Sequence, residues 1–587
     1  MFIYKESWKA RIAEALNTLL PQSAQECIDP SQVIAEVPPH PELGDLGFPM
    51  FPFAKIVRKS PLHIAQAVVS ALDAEGTDAP GDRYGAEGPY VNVRLHRGRL
   101  AQDVVTHLLD ETLPYGRPET LKGSRITVEF SSPNTNKPLH LGHLRNDILG
   151  ESISRILAAC GAEVRKVCII NDRGIHICKS MLAYKEAGQG KTPASEGIKS
   201  DHFVGNWYVR FHQMSREDPQ AEGRAQDLLR QWEAGDPETV DLWTVMNRWA
   251  VEGIKETYRR TGISFDQYYF ESQTYLKGKA QVLTGLEQGL FYQEADGAVW
   301  VDLSAEQLDK KVLLRKDGTS LYITQDIGTA ISRHQDWPFD RLVYVVGSEQ
   351  QYHFKVLFSI LAKFGFEWAD NLYHLSYGMV QLPEGKMKSR EGTVVDADDL
   401  LDRLKDLALK EIRDKEREEV LGDAAATAEK IALGALHYYL LQVSPVKDML
   451  FKPQESLAFN GNTGPYLQYM GARISSLLHK QAQRTQEREE TGTLRPELLI
   501  EDAEWELLKT LAGYPEAVAE AAVRMDPSLL ATYLYELSKA FSRFYHDCPI
   551  LSAAPDLAAT RLGLSQGVLR VLRDAFYLIG IPFLEMM

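Results

Sequence analysis

Residues 126–145, ITVEFSSPNTNKPLHLGHLR, change from one hydrophobic period to another within twenty positions. Ile126, Val128 and Phe130 alternate and share one face of a strand, and Pro133 and Pro138 then interrupt it. His143, Leu144, Ile148, Ile153, Ile156 and Leu157 follow at helical spacing towards Gly161, and Val164 to Ile170 again reads as a strand. Strand, turn, helix and strand form the repeating unit of a parallel sheet. In such sheets ligands collect at the carboxyl ends of the strands, where a helix N-terminus can hold phosphate.

Further out, Leu342–Val346 and Leu375–Leu382 read as later strands around a helix at Phe354–Phe364, so the sheet resumes after a long interval. The interval, Met181 to Ala298, carries Trp207, Trp232, Trp243 and Trp249 and helical stretches such as Val240–Arg260, the marks of an insertion. Residues 1–115 predict a small α+β domain, with helices around Trp8–Leu20 and Ala67–Leu72 and a strand at Tyr90–Leu95. Pro114, Gly116 and Pro118 mark a linker. Helical patterns at Ala428–Gln442, Tyr466–His479, Ala503–Leu511, Ala531–Tyr545 and Gly567–Leu578 predict a terminal bundle. The expected domains are 1–115, 116–423 with an insertion at about 181–298, and 424–587.

The chain has 587 residues, 44% apolar and 25% charged, with 42 Gly and 28 Pro, which excludes a disordered or collagenous chain. Lys plus Arg is 65 against Asp plus Glu 81, a net charge of −16, so a nucleic acid must meet a local positive field. Cys27, Cys160, Cys168, Cys178 and Cys548 form no C-x-x-C pair, which argues against a disulfide scaffold or structural zinc. The opening MFIYKESWKARIAEAL is charged and helical in period, unlike a secretory signal, and no apolar run reaches membrane-spanning length. A cytoplasmic location is expected.

Two elements carry candidate chemistry. His140 and His143, three residues apart, can share a helix face, and Gly142 between them leaves room for a nucleotide. Their local alternative is capping and packing. Gly385–Thr393 is a Gly-bounded cationic loop whose Lys386, Lys388 and Arg390 can surround polyphosphate, although alone such a run reads as solvated surface. Gly190-Lys191-Thr192 resembles the end of a phosphate loop, but Lys185 stands where the first glycine is required.

Together these elements resemble the arginyl-tRNA synthetases of class I. His140-Leu141-Gly142-His143 is similar to the HIGH element, Lys386–Arg390 to KMSKS, and Ser132-Pro133-Asn134 with Lys137 to the arginine-specific prefix. Asn171-Asp172-Arg173-Gly174, Leu321–Gly328, Gly44-Asp45, Tyr90-Val91-Asn92 and Asn462-Thr463-Gly464-Pro465-Tyr466 extend the likeness over nearly the whole chain. The resemblance implies a Rossmann-like catalytic domain, an N-terminal tRNA-contacting domain and a C-terminal anticodon-binding bundle. It implies ATP-dependent activation of L-arginine and transfer to tRNA(Arg), by a monomer that needs bound tRNA for activation. Editing is not expected of this branch.

The implied roles are specific. His140 and His143, with Gly142 and Met387, contact ATP; Lys137 compensates for Ser389, which replaces the second lysine of the loop; Lys386, Lys388 and Arg390 act from the loop; Mg2+ accompanies ATP. A guanidinium presents five donors and a permanent charge, so its pocket needs carboxylates and other acceptors, for which Glu129, Tyr322 and Asp326 are suited. By resemblance Glu129, Asn134, Tyr322, Asp326 and Gln350 contact arginine. Locally, Asp326 could instead cap a helix starting near Ile327 and Tyr322 fill a core edge. For tRNA the bundle offers Arg473, Lys539, Arg543, Arg570 and Arg573 with Tyr533, Tyr535, Phe541, Phe544 and Tyr545, most of these aromatics being expected in the core and any exposed ones free to stack on bases. The rival readings are another adenylate-forming ligase of HxGH type, and a tRNA-binding paralogue weakened by Ser389.

Overall fold

The computed structural model describes residues 1–21, 27–75, 81–112, 114–381, 383, 395–487 and 492–587. They divide into two units: Met1–Arg117 with Arg473–Ala517 and Tyr533–Leu572, and Pro118–Ala472 with Val518–Thr532 and Arg573–Met587. These units cut across the three expected domains. The helix Ala424–Leu441, first of the expected bundle, falls in the unit of the parallel sheet, whereas Asp502–Ala512 falls with the N-terminal residues.

In the first unit β1 (Leu46–Pro49), β2 (Arg83–Glu87) and β3 (Tyr90–Arg94) form an antiparallel sheet in the order β1-β3-β2. Val91 and Val93 are buried beside Leu46 and Phe48, and the helix Phe2–Thr18 adds Trp8, Ile12 and Leu16 to the apolar residues withdrawn from water. The C-terminal helices are joined to this domain by polar bonds: Trp505 Nε1 donates to Asp45 Oδ1 at 3.2 Å, and Lys5 Nζ to Glu516 Oε1 at 2.6 Å. Arg570, expected as an RNA contact, donates to the carbonyls of Leu108 and Asp110 at 2.8 Å. Phe541 and Phe544 are fully buried and cannot stack on a base without unfolding their helix, so they belong to the aromatics expected in the core. Lys539 and Arg543 pair with Glu536 and Asp547, and the Arg473 guanidinium lies 4.2 Å from the Tyr545 ring centre.

The second unit is built on five parallel strands in the order β11-β10-β4-β5-β6. These are β4 (Arg125–Glu129), β5 (Glu163–Ile170), β6 (Gln267–Phe270), β10 (Arg341–Gly347) and β11 (Leu372–Tyr377). β4 is central, with Val128 opposite Val343 on one side and Lys166 on the other. The chain runs from β4 through β5 to β6 on one flank and later builds β10 and β11 on the other, so the order reverses at β4 and β10. Their carboxyl ends therefore diverge into a crevice. β7 (Tyr292–Gln293), β8 (Val299–Val301) and β9 (Lys311–Leu314) make a separate antiparallel sheet.

Two expectations change. β6 and the helix Glu271–Glu287 lie within the stretch read as insertion, yet β6 completes the main sheet. Four residues are too few to show a strand period beside long helical signals. The strand expected at Leu375–Leu382 divides at Gly378, after which β12 (Val380–Gln381) pairs with β13 (Met449–Leu450). Gly378 N–H bonds the Pro445 carbonyl at 2.8 Å, and a Cβ there would stand 2.4 Å from the Lys447 carbonyl carbon. That approach ends the ladder. Leu382 is outside the described residues.

Candidate active site

Residues 131–140 leave β4 at the crevice. Ser131 and Ser132 adopt positive φ of 77° and 51°, and the turn is held by Asn146, which accepts from Ser131 N–H and donates to the Val345 carbonyl at 2.7 Å. Asn134 bridges to Asn171 after β5, where Asn171 N–H meets the Pro133 carbonyl at 2.9 Å. Three strand ends are thus tied around one turn.

His140 is the N-cap of the helix Leu141–Ala159. Gly142 N–H donates to His140 Nδ1 at 3.1 Å, and His140 N–H donates to His143 Nδ1 at the same distance. The ring centres are 3.8 Å apart. Capping, the local reading, is therefore realised, and it also sets the chemistry. A ring that accepts at Nδ1 carries its neutral-form proton on Nε2. Among the described residues neither Nε2 has a hydrogen-bond partner, so both offer an N–H donor. Burial, then the Lys137 ammonium, pushes His140 down to about 4; burial, then His140 and Lys137, holds His143 well below its ordinary value. Both rings stay neutral donors at neutral pH. A Cβ on Gly142 would come within 3.0 Å of the His140 ring.

Lys137 and His140 line a cavity of about 220 Å3 with His202, Tyr208, Asp396 and Asp399. Burial lowers the Lys137 ammonium from its ordinary value. The opposite wall belongs to the helix Ser200–Glu217, whose Gly205 lies so close that a Cβ would be 2.8 Å from Pro138 Cδ. Leu139 to Leu141 run antiparallel to Val395–Ala397: Leu141 N–H bonds the Val395 carbonyl at 3.2 Å and Ala397 N–H the Leu139 carbonyl at 3.0 Å. Asp201, His202 and Asp398 bring ligand atoms within 4.8 Å of one another, but Lys199 Nζ already bonds both carboxylates, at 3.1 and 2.6 Å, and offsets part of their charge.

A second group of residues is acidic. Asp326 lies inside the helix Tyr322–Asp336, whose N-cap is Leu321, so Asp326 is not a cap; Tyr322 is 78% exposed and fills no core edge. Asp326 Oδ2 is bonded by His353 Nε2 at 2.6 Å. Glu129 is buried and paired with Arg333, which lies 5.1 Å from the Tyr269 ring centre. The sequence offered no sign of that internal guanidinium. Burial raises the Glu129 carboxyl, the Arg333 charge opposes this, and Asp326 adds to it. Glu271, first residue of its helix, was also missed: burial first, with Asp172 and Asp326 adding and Arg173 opposing, pushes it up to about 7. Gln350 is exposed in the turn after β10 and Asn134 is half-buried. The structure thus joins His140, His143 and Lys137 at one turn and sets Glu129 and Asp326 in one acidic field. Lys386, Met387, Lys388, Ser389 and Arg390 lie outside the described residues.

Comparison with known proteins agrees along the chain. Residues 6–95 match the arginyl tRNA synthetase N-terminal domain, 104–452 the class I (R) tRNA synthetase catalytic domain, and 467–587 the DALR anticodon binding domain. The chain is 61% identical to the arginine–tRNA ligase of Treponema denticola and 56% identical to that of Treponema pallidum, over 99% of each chain in both cases. The structure of the Thermus thermophilus arginyl-tRNA synthetase superposes with a TM-score of 0.80 at 27% identity, covering 99% of this chain and 100% of that one.

Proposed function

We propose, for a chain that belongs to the arginyl-tRNA synthetases and is an arginine–tRNA ligase, a division of labour among the residues gathered at the β4–β10 crevice. The enzyme couples ATP to the esterification of tRNA with L-arginine. A carboxylate oxygen of arginine attacks the α-phosphorus of ATP, the bond to the bridging oxygen breaks, and pyrophosphate leaves. A terminal adenosine hydroxyl of tRNA(Arg) then attacks the activated carbonyl carbon and AMP leaves. Both steps develop negative charge on oxygens, which fixed donors stabilise without reorganisation.

In this reading the Nε2–H groups of His140 and His143 donate to the α-phosphate as charge builds, beside Gly142, where the nucleotide approaches. Lys137 supplies the phosphate charge that Ser389 cannot, and Lys386, Lys388 and Arg390, with Met387, act from their loop. Mg2+ travels with the ATP phosphates, and no residue of the chain is assigned to it. Asp326 and Glu271 face the substrate guanidinium, and Tyr322 covers it. Glu129, Asn134 and Gln350, at the ends of β4 and β10, serve the α-amino and carboxylate end. Residues 1–115 and 424–587 contact tRNA, and the enzyme works as a cytoplasmic monomer; among the described residues no helix is long and apolar enough to cross a membrane.

The observation that carries these roles is the reciprocal cap of His140 and His143, which occupies both Nδ1 atoms and leaves two neutral Nε2–H donors at a helix N-terminus. The test is arginine-dependent ATP–pyrophosphate exchange with and without matched tRNA, with lysine as control. Exchange requiring arginine and tRNA together is expected. Exchange with arginine alone would reject the tRNA requirement, and exchange with lysine would reject the assigned pocket.

A further inference from the structure

We infer that His202 is a positioning residue for adenylate formation: by joining Asp396 to Asp398 it fixes the main chain against which His140 is set. Its Nε2 lies 3.3 Å from Asp398 Oδ2 and 3.4 Å from Asp396 Oδ2. Asp396 is the N-cap of the helix Ala397–Asp414, accepting from Asp398 N–H at 2.8 Å and Asp399 N–H at 3.2 Å, and it is the antiparallel bridge partner of His140. The two flanking main-chain bonds, Leu141 to Val395 and Ala397 to Leu139, place the His140 backbone directly upon this cap.

Asp398 is itself anchored. Lys199 Nζ bonds it at 2.6 Å and Thr257 Oγ1 at 3.1 Å, and Arg260 Nη1 stands 3.6 Å away. His202 is the side chain that carries this anchorage across to Asp396, one helical turn before Gly205 seats the same helix on Pro138. One helix of the interposed segment therefore touches the histidine turn and braces its partner strand. Since His140 caps its own helix, a small shift of its main chain redirects Nε2, and a misplacement near 1 Å at a reacting group can cost about a hundredfold.

The groups facing the imidazole are Asp396, Asp398 and Asp399 from one helix, Asp201 and Lys199 from its own, Lys137 and His140 across the cavity, and Arg260 beyond Asp398. The Asp398 hydrogen bond raises His202 above its ordinary value; burial opposes this, Asp396 and Asp201 add to it, and Lys199 opposes it. The charged ring bridges both carboxylates at low pH, and the bridge weakens as pH rises through that raised value.

The inference rests on the role proposed for His140, so the full-length chain is assayed by ATP–pyrophosphate exchange with arginine and tRNA, alongside His143→Ala. His202→Ala should lower kcat about tenfold with KM for ATP and arginine changed less than about twofold. His202→Gln keeps an N–H donor without a titratable charge; it should retain more activity than the alanine variant and lack the decline expected of the parent as pH rises above the ordinary imidazole value of 6.5. An unchanged kcat in His202→Ala overturns the inference. So does a parental pH profile in His202→Gln, which decides the matter if the alanine variant folds poorly. Full activity in His143→Ala would instead overturn the histidine roles themselves.

Discussion

The two histidines cap their helix, and the chemistry proposed for them rests on the nitrogens that capping leaves over. The spacing HxGH was legible in the sequence, but that spacing is equally suited to capping, and the structure shows the capping use, in which each ring spends Nδ1 on the backbone; the donor role proposed for Nε2 is compatible with it. His143→Ala should reduce kcat for aminoacylation about 100- to 1000-fold, the scale of losing one donor to a developing oxyanion, while tRNA binding stays near the parental value. Asp326→Asn preserves size but removes charge, so KM for arginine should rise about 10- to 100-fold with little change for ATP. Equal losses for both substrates would point to displaced structure instead. Glu271 offers a sharper measurement. Its carboxyl, pushed up to about 7 by burial, is about half protonated at neutral pH, so on the proposed role arginine binding should release up to about half a proton per site. Calorimetry in buffers of different ionisation enthalpy would detect it, and Glu271→Gln should abolish it. No motif announced Glu271, His353 or Arg333, because their significance comes from neighbours distant in the chain.

Between elements, absent side chains set positions as firmly as present ones. The helices Glu271–Glu287 and Tyr322–Asp336, which carry Glu271 and Asp326, meet at Gly278 and Gly328. A Cβ on Gly278 would fall 1.8 Å from the Thr324 carbonyl oxygen, and one on Gly328 would fall 2.3 Å from the Gly278 nitrogen. Gly328→Ala should therefore destabilise the fold by about 1–3 kcal/mol through overpacking and raise KM for arginine by spreading the two carboxylates. A thermal melt and arginine titration together check it; an unchanged KM would mean that the carboxylate positions do not depend on this contact. The strands β4, β5 and β10 and the helix after β4 were legible because their apolar periods are long. β6 and the break at Gly378 were not, since one is only four residues and the other reflects an approach by residues near 447.

Across the molecule, stability against acid follows from buried neutral histidines. His437 is buried, and burial, with Arg155 adding, pushes it down to about 4 from 6.5. The unfolded chain takes up that proton near 6.5 while the folded chain refuses it until about 4. Unfolding therefore gains a proton, and the melting temperature should fall as pH drops from 6.5 towards 4; a flat profile would show that the ring is already charged in the fold. Inside the first unit the N-terminal residues and the C-terminal helices share a core, as where Gly567 admits Leu108, to whose Cδ1 an added Cβ would come within 2.9 Å. A chain lacking residues 1–117 should melt earlier and lose tRNA affinity, because its helices would bare that apolar face and lose the Lys5–Glu516 and Asp45–Trp505 bonds.

Composition and periodicity made a multidomain α/β chain legible, and the resemblance of His140–His143, its Asn134–Lys137 prefix and the later elements to the arginyl-tRNA synthetases pointed to the family, since these features depend on local order along the chain. Local order did not place Tyr322 and Asp326 on one helix: it allowed a start near Ile327, whereas the helix begins at Tyr322 behind its cap Leu321. The pairing of Arg333 with Glu129, the brace from His202 to Asp396 and the glycine contact at Gly278 join residues 204, 194 and 50 positions apart. Such pairings follow from how sheet and helices pack, and burial then sets the charge on each group, which no single stretch of chain encodes.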